Sequence, residues 1–407
     1  MTTVPGFPEN RTGPRGPEPG IETASNPPLQ RAQSLRALLN QHSASQDEAS
    51  RLSDEVLDAL HEQGLFGLWV PEQLGGSELD PVRSLEVIEA LAYGDASSAW
   101  VTMAVCLATG AAGAFLPDSA IAELFDGTRF PVIAGQGTRP GRAVPAEGGY
   151  LLSGAWSFGS GLLHSRYIHT LGTVEGRGET RIFIVPVEKA ELDLGSWNVM
   201  GLRATASIDY TLDSVYVPAE FTYVSTRTDP MRGGAFYRLG ISQFALLGHC
   251  GWALGVSRRL LDELSALTIA KAGRAGAQGA SEAFQSEFAL AEGKFWAARG
   301  FVLQAWGDLS RSLYQEGQIS IRQQTLIRLA LYNVTWSSKE ITDFVYRAAG
   351  TIALRDGDIQ RYFRDMNAGT QHVTSSPAVL QACGRELAGL AAGKHWVNFA
   401  LVDDPTG

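Results

Sequence analysis

At 407 residues, 44% of them hydrophobic and 19% charged, the chain can close a large core in two or three layers; its composition excludes a fibrous or wholly disordered protein. A net charge of −10 with no long run of Lys or Arg argues against nucleic acid and a membrane as partners. Cys106, Cys250 and Cys383 form no paired motif, no uninterrupted apolar stretch reaches bilayer length, and no basic-then-apolar leader opens the chain, which together suit buried thiols in a reducing cytoplasm.

Residues 1–28 hold seven prolines and are expected to form a disordered tail. From 29 to 128 the pattern is helical. Leu35, Leu38 and Leu39 recur at helical spacing, Ser53 is an N-cap candidate, and Gly64 ends that helix. Pro71 and Gly75-Gly76 mark a loop. The run from Pro81 to Phe115 reads as two helices, with Asp95 capping the second. The Ala- and Gly-rich stretch 104–114 would let a neighbour approach closely.

Between 129 and 225 the period changes to short β-branched and aromatic runs: "PVIAGQGT", "GGYLLSGAWSF", "RYIHTLGTV", "TRIFIVPV" and "SIDYTLDSVYVP". "EGRGE" at 175–179 reads as a hairpin turn. These runs predict a compact antiparallel β domain. Helical periodicity returns over 234–404, with long candidates at roughly 237–270, 281–315, 320–350 and 375–400, suiting a four-helix bundle. The fold class is therefore α+β, without the βαβ alternation of a doubly wound nucleotide fold.

Several chemistries lack sequence support. "GQGTRPG" at Gly135 fails the dinucleotide fingerprint, His61-Glu62 has Leu65 where a zinc helix needs its second histidine, and no Gly-x-Ser-x-Gly elbow occurs. His164 and His169 lack helical ligand spacing. His42, His61, His249 and His395 show no partner pattern and read as surface or packed residues.

Four motifs in order then resemble the acyl-CoA dehydrogenase superfamily across residues 30–400. They are "GLFGLWVPEQLGG" (64–76), "GGYLLSGAWSFGSG" (148–161), "WNVMGLRATASIDYTLDSVYVP" (197–218) and "YRAAGTIALRDGDIQRYFRD" (346–365). Dehydrogenases of the medium-chain type carry a glutamate shortly after the Arg-Asp pair. Here "RDMNAGTQHVTSSP" places His372 there, and no acidic residue separates Asp365 from Glu386. With "WSFGSG", that histidine resembles the flavin-dependent monooxygenase branch, the oxygenase components of two-component systems.

The resemblance implies an oxidoreductase that uses externally reduced flavin (FADH2 or FMNH2) and O2, through a C4a-hydroperoxide, to oxygenate a small aromatic, indolic or amine substrate. It implies Ser160 and His372 as catalytic residues, Ser160 facing the flavin's central ring and His372 moving a proton. Trp156, Phe158, Ser160, Arg203, Thr205 and Ser207 would bind the cofactor. Arg274 would reach a flavin phosphate across a subunit boundary, and Arg347 beside Ala348-Ala349-Gly350 is a similar candidate. No metal is implied. A separate NAD(P)H-dependent flavin reductase is the expected partner, and "FVLQAWGDLSRSLY" (301–314) suits a helical interface in a homotetramer. The base that phenol-hydroxylating relatives draw from the N-terminal helices is missing, since no histidine lies between His61 and His164. The alternative is an acyl-CoA or acyl-carrier-protein dehydrogenase with tightly bound FAD.

Overall fold

The computed structural model describes residues 26–274 and 277–403, so most of the expected tail lies outside the described residues. The described chain opens on helix α1 (Pro27–Ser34), which already takes in the last two prolines assigned to that tail. Proline is tolerated in a first helical turn because the N–H it lacks has no intrahelical partner there. Helices α2 (Arg36–Ala49), α3 (Asp54–Glu62), α4 (Pro81–Gly94), α5 (Ala96–Phe115) and α6 (Asp118–Leu124) follow. Ser53 caps α3 by accepting from the Val56 N–H, and Asp95 caps α5 through Ser98 N and Oγ at 2.7 and 2.6 Å.

Helix α5 is 20 residues long and apolar enough to cross a membrane, but its most apolar window is 89% buried inside the protein. It packs against α4, the sheet and the long helices behind it.

The strands are β1 (Ile133–Ala146), β2 (Gly149–Gly159), β3 (Tyr167–Val174), β4 (Thr180–Pro186), β5 (Glu191–Asp193), β6 (Ile208–Pro218) and β7 (Thr222–Val224). They form one sheet in the order β5-β6-β2-β1-β3-β4-β7. The expected antiparallel domain is in fact mixed: β1 and β3 run parallel, Ile133 opposite Tyr167. Strand β2 turns back on β1 through Glu147-Gly148. The chain then steps over the end of β1, bridging Gly135 to Ser160, before entering β3 on its other side. That step carries the Ser160 loop. The turn at 175–179 closes the β3–β4 hairpin, with Val174 N–H donating to Glu179 O.

Three long helices follow, α7 (Ile241–Ala270), α8 (Glu282–Gln315) and α9 (Ile321–Ala349). Helix α7 packs tightly on α4 because a Cβ at Gly255 would stand 2.3 Å from Glu89 O. The expected fourth helix at 375–400 is not one element. After α10 (Asp358–Gly369), its place is taken by α11 (Pro377–Leu387) and a hairpin of β8 (Lys394–Val397) and β9 (Ala400–Asp403). Pro377 opens α11, and Gly389 and Gly393, both at positive φ, end the helical path.

Candidate active site

The site forms where the step from β2 to β3 meets the N-terminal half of α5, the early turns of α7 and the turn after α10. At its centre is the Ser160 hydroxyl. Trp100 Nε1–H, from α5, donates to Ser160 Oγ at 3.1 Å. Ser160 Oγ lies 2.7 Å from Ser207 Oγ, which lies 2.7 Å from Thr205 Oγ1, which donates to Leu202 O at 2.7 Å. A carbonyl only accepts, so the last link orients the others. Thr205 spends its proton on Leu202 O and accepts from Ser207, and Ser207 accepts from Ser160. A hydroxyl has one proton and two lone pairs. Ser160 has committed its proton and one lone pair, and its second lone pair remains as an acceptor.

Backbone strain fixes this relay. Leu202 and Ala206 are left-handed at φ 55° and 47°, flanking the tight 3-10 turn Arg203–Thr205. A Cβ at Gly201 would fall 2.1 Å from Arg364 O, so only glycine lets this turn reach α10. There Leu202 N–H donates to Asp365 Oδ1 at 2.6 Å. Burial, opposed by that hydrogen bond, pushes the Asp365 carboxyl up to about 7.

Phe158 sits in a bulge between Trp156 and Gly159 of β2, at φ 67°. A bulky residue rarely adopts this conformation. Its ring is 66% exposed and meets Trp197 edge-on, with centroids 6.1 Å apart. A strained, exposed aromatic beside an unspent acceptor is a platform suited to a flat ring system.

Two imidazoles pack against the same Trp100. His372, in the turn after α10, stacks on His249 of α7 with centroids 4.1 Å apart, and both meet Trp100 edge-on. Trp252 closes the aromatic group at 5.0 Å from Trp100. His372 Nδ1 lies 2.8 Å from Thr374 Oγ1 and accepts from Thr374 N–H at 3.4 Å. This assigns its proton to Nε2. Burial, then the neighbouring His249, holds His372 well below its ordinary pKa; burial takes His249 down to about 4. Both rings are neutral at pH 7, so His372 presents a neutral N–H donor and not the near-neutral titrating acid expected of it.

The other expected site residues fall into two groups. Thr205 and Ser207 lie buried in the relay, and Arg203 anchors the same turn by donating to Asp47 O and Val199 O. Trp156, Arg347 and Arg274 do not join the group. Trp156 is 1% exposed, stacked on Tyr210 in the sheet core with its N–H on Leu171 O, which removes it from any cofactor surface. Arg347 is an exposed side chain paired with Glu287. Arg274 lies beyond the far end of α7. From His249 to Ala270 that axis runs about 30 Å at 1.5 Å per residue, so Arg274 does not serve its own chain's ring site. His164 and His169 are structural: His164 accepts from Leu52 N–H, and His169 meets Tyr223 OH. His249 was expected only as a surface or packed histidine, and it is indeed packed; Trp100 was not named in the sequence. The available signal was a lone histidine in the otherwise apolar "FALLGHCGWALG" of α7.

Residues 32–114 match the acyl-CoA dehydrogenase N-terminal domain and 247–377 its C-terminal domain. The chain is 26% identical over 349 residues to the indole-3-acetate monooxygenase of Acinetobacter baumannii, covering 83% of this chain and 88% of that one. It is 25% identical over 375 residues to HsaA of Rhodococcus jostii, a flavin-dependent monooxygenase oxygenase subunit, covering 86% and 94%. The fold matches XiaF from Streptomyces sp., solved with FADH2 and glycerol, with a TM-score of 0.80 at 22% identity over 89% of this chain and 95% of that one.

Proposed function

The chain belongs to the acyl-CoA dehydrogenase family, and within it we propose that it is the oxygenase component of a two-component flavin-dependent monooxygenase acting on a small aromatic, indolic or amine substrate. The observation that carries this reading is the pairing of an acceptor-only Ser160 with two neutral imidazoles. The side chains that α7 and the turn after α10 bring against Trp100, whose N–H holds Ser160, are histidines, where an acyl-CoA dehydrogenase requires a carboxylate to take a proton. Asp365 faces away into the Leu202 turn, and Asp95 is spent on capping α5.

The residues fit a reduced flavin. Phe158 supplies a face for the ring, and Ser160 Oγ offers a lone pair to a ring N–H, which the reduced form has at its central nitrogen and the oxidised form lacks. When bound, the reduced flavin supplies the electron pair that activates O2 for transfer of one oxygen atom to the substrate. The protein's part is orientation and exclusion of water. Trp100, Trp252 and the buried wall of α5 exclude solvent behind Ser160. His372 holds its proton at Nε2 as a hydrogen-bond donor.

No dinucleotide-binding segment occurs in the sequence, so the reduced flavin comes from a separate NAD(P)H-dependent reductase. Phosphate contact by Arg274 would come from a neighbouring copy, in keeping with a homotetramer and with the exposed Leu290 and Trp296 on α8. FAD and FMN both suit the ring frame. Three buried free thiols agree with a cytoplasmic site of action.

Rapid mixing tests the reading. Protein loaded anaerobically with reduced FAD or FMN and mixed with O2 should pass through an absorbance transient before oxidised flavin appears, and an aromatic substrate should become oxygenated. One-step reoxidation with stoichiometric hydrogen peroxide across phenol, indole and arylamine probes would overturn it. Yellow protein that bleaches on anaerobic mixing with an acyl thioester would establish the dehydrogenase instead.

A further inference from the structure

The relay accounts for Ser160 and the Thr374 contacts account for His372, but one polar atom of the site has no role. His249 is only 9% exposed, and its Nε2 has no hydrogen-bond partner. Its tautomer is fixed from the other side of the ring. Nδ1 lies 2.6 Å from Ala245 O, one turn earlier on α7, and a carbonyl can only accept, so the proton is on Nδ1. Nε2 is therefore a lone pair with nothing to receive. A buried acceptor left empty costs stability, and the surroundings are built to hold it in place. Trp100 meets the ring edge-on at 4.7 Å, and His372 stacks on it.

We infer that His249 Nε2 is the substrate-recognition acceptor, taking a hydrogen bond from an N–H or O–H carried on the aromatic ring of the substrate. The site would thus select indoles, phenols and arylamines over isosteres that lack a donor. The inference rests on the monooxygenase reading and refines its substrate class. Trp100 divides the labour: its N–H serves Ser160 on the flavin side, while its ring walls His249 on the other. His372 carries Nε2–H and so donates, whereas His249 carries a bare Nε2 and accepts. The stacked pair thus offers one donor and one acceptor to what lies before it. An imidazole made this weakly basic by burial receives a hydrogen bond without removing the proton, so the substrate stays neutral. This supplies polar recognition from α7 in place of the absent N-terminal base.

The test uses the full chain loaded with reduced FAD under anaerobic conditions, titrated with indole and with benzofuran, the same shape with oxygen in place of N–H. Indole should bind about tenfold more tightly, the worth of one buried hydrogen bond. His249→Phe keeps the ring and loses the acceptor, and should abolish the preference. His249→Gln restores an acceptor oxygen and should recover part of it. Equal affinities in the unmodified protein, a preference that survives in His249→Phe, or no binding of either probe to flavin-loaded protein would each overturn the assignment. Failure of reduced FAD to bind at all would instead count against the monooxygenase reading.

Discussion

The Ser160 oxygen shows how much depends on hydrogen-bond direction at the residue scale. Its proton is committed to Ser207 because Thr205 is committed to a carbonyl. Ser207→Ala removes that acceptor and frees the Ser160 proton to turn toward a ring nitrogen. The affinity ratio for reduced over oxidised FAD, measured by anaerobic titration, should fall about tenfold, the value of one hydrogen bond gained by the wrong redox state. A ratio unchanged in Ser207→Ala would refute the relay. Motif order in the sequence named Ser160, Phe158, Thr205, Ser207 and His372 as candidates, and the structure joins Ser160, Ser207 and Thr205 in one hydrogen-bonded chain. Trp156 lies in the core because, although positions two apart on a regular strand share a face, the bulge between Trp156 and Gly159 turns Phe158 outward and leaves Trp156 inward. His249 reads in the sequence only as a packed or surface residue because its contact with His372 joins positions far apart in the chain. Nothing local to α7 announces His372.

At the scale of elements, helix α10 and the Gly201–Ser207 turn act together through Asp365. Burial raises this carboxyl to about 7, above its ordinary value, so the folded protein holds the proton more tightly than the unfolded chain. That contribution is fully present below the unfolded pKa near 4 and is lost as pH rises through about 7. Asp365→Asn keeps an oxygen for Leu202 N–H and no longer titrates. The Tm of the unmodified protein minus that of Asp365→Asn should therefore be largest at pH 4 and shrink toward pH 8. A difference independent of pH would disprove the linkage. Helices α3, α5, α7, α8 and α9 were readable because caps and periodicity are local. The last helix was not, since Pro377, Gly389 and Gly393 divide a run whose apolar content alone suggests continuity. The parallel pairing of β1 and β3 was likewise hidden, because short strands look alike whichever neighbour they join.

For the whole molecule, buried histidines dominate the acid response. Burial lowers His164, His169 and His249 to about 4, and His372 lies well below its ordinary value. Each contributes stability that is present above the unfolded pKa of about 6.5 and lost as pH falls through the folded value. Asp365 and Asp95, both raised by burial, act in the opposite sense. With His61, also lowered by burial, five imidazoles against two carboxyls leave a net loss on acidification. Calorimetry should show Tm falling by several degrees between pH 7 and pH 5; a rise would mean that the carboxyls prevail. The broad architecture of helices, sheet and helices was legible in the sequence because each layer has its own hydrophobic period. The site was only partly legible, because it is assembled from four segments that only tertiary packing brings together.

The one-way relay also has a consequence for traffic. A cofactor that arrives with a proton on its central nitrogen finds a waiting lone pair, and after it has given up its electrons it faces an oxygen with no hydrogen to offer. Departure of the spent molecule is thereby favoured by the same three hydroxyls that welcomed the fresh one. Such a protein works as an exchange station, its pace set by how quickly a diffusing supply is renewed, and it needs no lasting embrace with the enzyme that does the renewing.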